Sequence, residues 1–451
     1  MLQSQDKKIN KDLLYQNIMD IADSSVNRKK IFFILSSFQG HFNKFILLAK
    51  YYLSAGYAVF FIAYDDLIEK YAHEHKGFNF IQTASKSINI VFINVGDISS
   101  HLEEIEKKYV ERKIEICNLI TSYQPIFIYL DEFCSSDLLF LLPNFNAKNL
   151  AVLSTFLPSF PNEIIPPHDE FAMPGSHVKA IWESRKIHKI HKGKHDFYLN
   201  KFDREQIDKK FKIWNFNQIH PAFSNIQKWY LVAEELEFFN IKLKPWEKYM
   251  GPMIDLSRHE TIDTKCRVFL QLAKQDKRNK IIFLSFGTVI YTFIPEPVLL
   301  AFYENVIKIA KDNPFWFFFL QLPASLYAKL RPVSMNIAIF QFCPQLTLLQ
   351  AADLFITHGG GNSIHESIYF NTPMIVIPPV KKFDYNGNAS RLVYHGIAET
   401  ASVNNDLITL QEKINTVLTN EKFKIQVKKM SELFIHKYKD NFLDELHLPF
   451  T

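Results

Sequence analysis

The sequence predicts an α/β protein made of two doubly wound parallel sheets. Three observations predict this. Continuous apolar runs of strand length alternate with segments of helical period, the pattern of strands buried on both faces and joined by crossover helices. The alternation occurs twice, on either side of a middle stretch of different character. Finally, 451 residues at 47% hydrophobic composition exceed what one ordinary core takes up, so two domains of roughly 200 residues each are expected.

In the first half KIFFILSS (30–37) reads as a buried strand, FNKFILLAKYYLSAG (42–56) as a helix stopping at Gly56, and YAVFFIAY (57–64) as a second strand, which makes one β-α-β unit. INIVFINV (88–95) is strand-like, a charged helix covers about 101–123, and PIFIYLDEF (125–133) and NLAVLSTF (149–156) are further apolar strands. Residues 156–246 open on a loop rich in proline (Pro158, Pro161, Pro166, Pro167, Pro174) and continue charged and aromatic. After GPMID the alternation resumes with KIIFLSFGT (280–288), a helix at about 296–312, PFWFFFLQL (314–322), IAIFQF (337–342), LFITHGG (354–360) and PMIVIPP (373–379). The expected division is an N-terminal extension 1–29, a first domain 30–246, a second domain 247–420, and a helical segment 421–451 that crosses back to the first domain.

Bulk properties exclude several classes. A formal charge of +5, from 52 basic and 47 acidic residues, gives no case for a nucleic-acid binder. The basic run RKIHKIHKGKH (185–195) reads ordinarily as a solvated face, with contact to an anion or a membrane surface as the other reading. Cys117, Cys134, Cys266 and Cys343 lie far apart without metal or redox spacing, so reduced thiols and a cytoplasmic location are expected. No apolar run approaches the roughly 20 residues of a membrane span, and the charged N-terminus lacks the apolar region of a secretory signal.

The chemistry concentrates in DLFITHGGGNSIHESIYF (353–370), a strand that runs through three glycines into a helix. At the C-terminal ends of parallel strands such a turn opens on the ligand crevice. Its glycines let the backbone approach a ligand, and the first-turn N–H groups favour an anion, most often phosphate. His358, Asn362 and Ser363 could donate to such a phosphate, and Glu366, one turn on, could accept from ribose hydroxyls. A capped strand-to-helix turn with no ligand is the alternative. No Gly-Lys-Ser/Thr follows, and the G-x-G-x-x-G of dinucleotide sites is absent.

From Phe342 to Ala389 the chain resembles the UDP-glycosyltransferases of glycosyltransferase family 1, which include glucuronosyltransferases and small-molecule glucosyltransferases. FCPQ, LTLL, HGGGNSIHE, NTP and DYNGNA stand in the order of that family's W-x-P-Q, H-x-G-x-x-S-x-x-E, G-x-P and D-Q-x-x-N-A. SFGT (285–288), SSFQGHFNKF (36–45) and the Pro-Pro loop IPPHDEFAMPG (165–175) extend the resemblance over most of the chain, weakly at 180–245. It implies a GT-B architecture, two Rossmann-like domains facing an interdomain cleft, with UDP in the second.

Residue by residue, the resemblance implies Phe342 stacked on uracil, Cys343 at the uracil edge through its backbone, and Gln345 and Glu366 on the ribose. His358, Gly360, Asn362 and Ser363 would form the diphosphate cradle, with Ser285 and Thr288 on its other side and Asp384 and Tyr385 at the sugar. Three positions depart from the family: Tyr385 stands for Gln, Lys44 for the Pro of G-H-x-N-P, and Asn371 for the Gly of G-x-P. His41, after the first strand, takes the place of the base that removes the acceptor's proton, with Asp131 as its carboxylate partner. Glu132 and Asp137 are the competing acids.

The implied reaction is an inverting, metal-independent transfer of a hexose from a UDP-sugar to a hydroxyl of a small lipophilic or aromatic acceptor, with no other cofactor. Phe38, Phe42, Phe133, Phe156, Phe160 and Trp182 are candidate acceptor walls, although each is an ordinary core residue too. One alternative is a UDP-GlcNAc transferase acting on a lipid-linked cell-envelope intermediate, which prefers several glycines where SSFQGHF has one. Another is a non-catalytic nucleotide-sugar-binding protein, which would have no use for both His41 and Asp131.

Overall fold

The computed structural model describes residues 28–36, 38–64, 67–88, 102–186, 197–201, 203–215, 222–287, 290–332, 334–381 and 383–438. Thr288, most of the expected strand 88–95, and the basic run from 187 lie outside the described residues.

The first sheet contains β1 (Lys30–Ile34), β2 (Ala58–Ala63), β3 (Asn79–Gln82), β4 (Phe127–Asp131) and β5 (Leu150–Ser154). After a short antiparallel pair, β6 (Ile213–Asn215) with β7 (Ala222–Phe223), the sheet is completed by β8 (Gln227–Tyr230) and β9 (Glu247–Tyr249). Its order is β3-β2-β1-β4-β5-β8-β9, with every pairing parallel. The chain therefore leaves this sheet only after Tyr249. The second sheet is built from β10 (Lys280–Ser285), β11 (Trp316–Gln321), β12 (Ile337–Phe340), β13 (Leu354–Thr357), β14 (Met374–Val376) and β15 (Ala398–Thr400). Its order, β12-β11-β10-β13-β14-β15, is again all parallel.

The central strands explain their own burial. β1, β2, β4 and β5 place nearly every residue out of contact with solvent, and the register pairs Phe32 with Phe60 and Phe33 with Phe61. A residue with no solvent-facing side must be apolar at every position, which is why these strands show no alternation. β3, at the sheet edge and half-buried, has the mixed sequence NFIQ.

In both sheets the strand order reverses between two neighbours, β1 and β4 in the first and β10 and β13 in the second. Crossover helices diverge to opposite faces at such a reversal and leave a crevice at the strand C-termini. Thus the residues after β1, β4, β10 and β13 are the ones the fold leaves free for chemistry.

The halves are joined through apolar packing and buried charge. Leu157, Tyr230, Val232 and Leu236 share one core cluster with Phe269, Phe355, Leu392 and Phe434. Arg391 donates from Nε to Glu237 Oε1 at 2.8 Å and from its second amino nitrogen to Oε2 at 3.0 Å, both residues almost fully buried. The helix Glu421–Lys437 packs on the helix Gly361–Tyr369. Beyond it Tyr438 donates its hydroxyl to Glu235 at 2.9 Å and fills the space over Gly251, where a Cβ would lie 2.5 Å from the ring.

Candidate active site

The helix Gln39–Ser54 begins just past β1 and carries His41 in its first turn. Asp131 is the last residue of β4 and caps the following 3-10 turn by accepting from Phe133 N–H at 3.0 Å. Neighbouring strands thus deliver the two side chains to one point, with His41 Nδ1 2.9 Å from both Asp131 oxygens. Ser36 adds a backbone N–H at 3.0 Å and a hydroxyl to the same carboxylate. Burial pushes this carboxyl's pKa up, but the His41 charge and hydrogen bond, Ser36 and Phe133 outweigh it and hold Asp131 below the usual range.

An ionised carboxylate accepts only, so Nδ1 of His41 carries the hydrogen, and the uncharged form of the ring has its lone pair on Nε2. Nε2 faces Thr155 Oγ1 at 3.2 Å. The rings of Phe38, Phe133 and Phe156 surround the imidazole at centroid distances of 5.6, 4.8 and 6.0 Å. The other expected walls are elsewhere: Phe42 stacks on Tyr71 at 3.7 Å, and Phe160 and Trp182 line a separate small pocket with Pro158 and Ile165. The competing acids are engaged, Glu132 with Lys228 and Ser154, Asp137 with Arg112.

In the second half the three glycines answer to three different contacts. Gly359 has φ +88°, and a Cβ there would lie 2.7 Å from Val376. A Cβ on Gly360 would fall 2.4 Å from the Nε2 of His358, and one on Gly361 would lie 3.2 Å from the Nζ of Lys44. Gly287, in the SFGT turn at φ +67°, is also roofed by the His358 ring. The turn is shaped around an imidazole on one side and a lysine from the other half on the other.

His358 is half-buried, its Nδ1 is buried without a partner among the described residues, and this burial pushes its pKa down to about 4. At neutral pH it is an uncharged ring. Ser363 and Gln345 approach each other at 3.4 Å, and Gln345 Nε2 donates to Glu366 at 2.6 Å, so these three expected residues form one cluster. Ser285, at the end of β10, donates to Gln321 at 3.3 Å and accepts from Gly287 N–H at 3.3 Å. Phe342 is 59% exposed, leaving a ring face free to stack, while Cys343 is buried in the core. Asn362 spends its side-chain amide on the Gly40 carbonyl at 2.8 Å, one residue before His41, which leaves its backbone N–H for a ligand.

Asp384 is buried and accepts from Asn388 at 2.7 Å, and Asn388 also donates to the Gly359 carbonyl at 2.9 Å. Burial drives the Asp384 pKa up, and Asn388, His168 and Lys44 oppose that. Tyr385 opens the helix Tyr385–Tyr394 with its ring edge-on to His358 at 5.3 Å. Phe383 bridges the two halves, 6.2 Å from Phe133 and 5.9 Å from Tyr385.

Sequence reasoning missed several groups. Arg258 holds the Glu366 carboxylate with donations of 2.9 and 3.4 Å, and is itself braced by Glu260 at 3.0 Å. It comes from the connecting segment, where Asp255 and Ser257 also bind Lys50 at 2.6 and 2.9 Å. His168 of the Pro-Pro loop stacks on Phe156 and presses its carbonyl onto Gly387, where a Cβ would lie only 1.8 Å away. The Pro-Pro loop itself was the only signal for that docking.

Residues 318–442 match the model of the glycosyltransferase family 28 C-terminal domain. Among curated proteins, an uncharacterized UDP-glucosyltransferase, YdhE, of Bacillus subtilis is 30% identical over 168 residues, 36% of this chain and 39% of that protein. The oleandomycin glycosyltransferase of Streptomyces antibioticus is 32% identical over 120 residues, 26% of each chain. The zeaxanthin glucosyltransferase of Pantoea ananas is 36% identical over 97 residues, 22% of each. The chain thus spans well under half the length of these relatives.

The solved structure of a kitacinnamycin glycotransferase superposes with a TM-score of 0.67 at 16% identity, covering 94% of this chain and all of that one. That of the glycosyltransferase VinC, in complex with dTDP, gives 0.61 at 11% identity, over 90% and 95%. The fold is that of the GT-B glycosyltransferases, and residues 318–442 are similar to a glycosyltransferase C-terminal domain.

Proposed function

We propose that this chain is a UDP-dependent hexosyltransferase of the family 1 kind, moving a hexose with inversion onto a hydroxyl of a small lipophilic acceptor. The observation that carries the reading is the placement of His41 and Asp131 at the switch point of one sheet, tied by Asn362 and Gly40 to the glycine turn at the switch point of the other. A base and a phosphate cradle on facing strand ends are what transfer from a nucleotide sugar requires.

His41 Nε2 takes the proton of the acceptor hydroxyl as its oxygen attacks the anomeric carbon, and Asp131 stabilises the imidazolium through Nδ1. The bond from anomeric carbon to phosphate oxygen breaks, and UDP leaves with the electron pair. The free N–H groups at the start of the helix Gly361–Tyr369 and the neutral His358 hydrogen-bond the departing diphosphate. Glu366 and Gln345 hold the ribose, with Arg258 fixing the carboxylate, and no resident metal is invoked. Attack from the His41 side, opposite the leaving diphosphate, inverts the anomeric centre.

Phe38, Phe133 and Phe156 offer an aromatic wall around the base, which Phe383 extends by its contact with Phe133. Such a wall suits a lipophilic alcohol, in keeping with relatives named for oleandomycin and zeaxanthin. The test is UDP release from UDP-glucose, UDP-GlcNAc, UDP-galactose and UDP-glucuronate with a panel of lipophilic alcohols, and the anomeric configuration of the product by NMR. A neutral hexose donor and an inverted product are expected. Absence of acceptor-dependent release across the panel, or retention, would overturn the reading.

A further inference from the structure

Lys44 stands where the resemblance has proline. It is 1% exposed, on the same helix as His41, and its Nζ reaches across to the glycine turn. There it donates to the carbonyls of Leu231 at 2.7 Å and Thr155 at 3.4 Å. No carboxylate lies within ion-pair distance of it among the described residues. An ammonium carries three donors, and this one faces the positive end of the helix Gly361–Tyr369, which disfavours its charge.

The remaining charges around it explain what it lacks. Asp384 and Glu366 attract it from the second half, but Asp384 is bonded to Asn388 and Glu366 to Arg258 and Gln345. His365, on the facing helix, is kept neutral by burial first and by Lys44 second, and it bonds the Gly361 carbonyl and Ala233 N–H. His358 is neutral as well. Burial brings Lys44 itself down to about 7, against the pull of the two acids.

We propose that Lys44 is a positioning residue for the donor, a cation delivered by the first half to the phosphate-facing turn of the second, which takes up a proton from solvent as the nucleotide's diphosphate binds. The inference rests on the reading of this turn as the UDP site. An anion at the helix N-terminus reverses the local potential, so the charged form of Lys44 becomes the stable one. Because Lys44 and the turn belong to different halves, the same event tightens the contact between them. By linkage, UDP affinity falls as pH rises from the free pKa of Lys44 toward its higher value in the complex.

The experiment is calorimetric titration of the full chain with UDP and with uridine, near pH 8, in two buffers of different ionisation enthalpy. The wild type should take up a fraction of a proton per UDP and none per uridine. Lys44→Met, which keeps the stem's shape, should abolish the uptake and weaken UDP about tenfold or more while leaving uridine unchanged. UDP binding without proton uptake by the wild type overturns the proposal and leaves the UDP site standing. An equal uptake by Lys44→Met does the same. Failure of the wild type to bind UDP at all overturns both.

Discussion

His41 Nδ1 stands 2.9 Å from both oxygens of Asp131, a carboxylate 90 residues away that is fully buried and bonded by four donor groups from three residues. Since the second half is assigned the nucleotide, His41→Ala should remove transfer while UDP binding stays near wild type. Turnover and calorimetry on the same preparation check this. Equal loss of UDP affinity would show that base and nucleotide site are not separable.

Asp131→Asn replaces an acceptor by a group that can present N–H to Nδ1, which favours the tautomer with its hydrogen on Nε2. The base then has no lone pair where the acceptor sits, so kcat should fall by about 10²–10⁴. The lost charge-assisted bonds should also cost about 1–3 kcal/mol of stability. Urea unfolding separates the two effects, and a kcat within a few-fold of wild type would sink the pairing.

Gly387→Ala should separate the halves where Gly251→Ala only disturbs a ring. At Gly387 the added carbon meets the His168 backbone carbonyl at 1.8 Å, which no side-chain rotation relieves. The expected cost exceeds about 2 kcal/mol, with a larger radius of gyration in solution scattering. At Gly251 the obstacle is the Tyr438 ring, which can move, although φ +82° adds strain of its own.

The parts of the fold written in local pattern were legible before the structure. Strands such as KIFFI and LFIT, the helix Glu296–Asp312, and the residues directly after β1, β4 and β13 follow from unbroken apolar runs and the rule that ligands sit at strand C-termini. β3 was not read, because NFIQ is short, half-buried and not uniformly apolar. The contacts made by Arg258, His168 and Lys44 escaped for a different reason. Each side chain reaches its place only because two halves or a connecting segment pack together, and no spacing in the chain encodes that distance. Asn362 shows the same limit, since the motif places it at the cradle and the packing turns its side chain toward Gly40.

His358 should make the protein acid-sensitive. Its folded pKa lies near 4, below the usual value of 6.5. Above about pH 6.5 both folded and unfolded forms are neutral. As pH falls through that window the unfolded chain takes up a proton that the folded one refuses, so stability is lost between about 6.5 and 4. His358→Gln should lose less stability than wild type across that window in thermal melts, and should weaken UDP more than uridine because the side chain is assigned to the phosphates. A parallel decline of both proteins would mean that His358 is not kept neutral by its burial.

Tyr385 concerns the choice of sugar. The resemblance has a glutamine here, whose amide offers separate donor and acceptor to sugar hydroxyls, whereas a phenol offers one hydroxyl and a ring face. In the structure that ring lies beside Asp384, edge-on to His358 and to Phe383, so it walls the imidazole at the end of the turn that the resemblance assigns to the sugar. Lys381, which could meet a uronate carboxylate, is exposed on the preceding loop, and a solvated lysine discriminates weakly. A neutral hexose, glucose or GlcNAc, is therefore the expected donor rather than glucuronate. Tyr385→Gln should shift the ratio of kcat/KM between donors by several-fold, about 1 kcal/mol, with a smaller change in UDP affinity transmitted through His358. A ratio fixed across the four donors would show that Tyr385 does not read the sugar, and Phe383, its neighbour across the cleft from Phe133, would become the residue to substitute next.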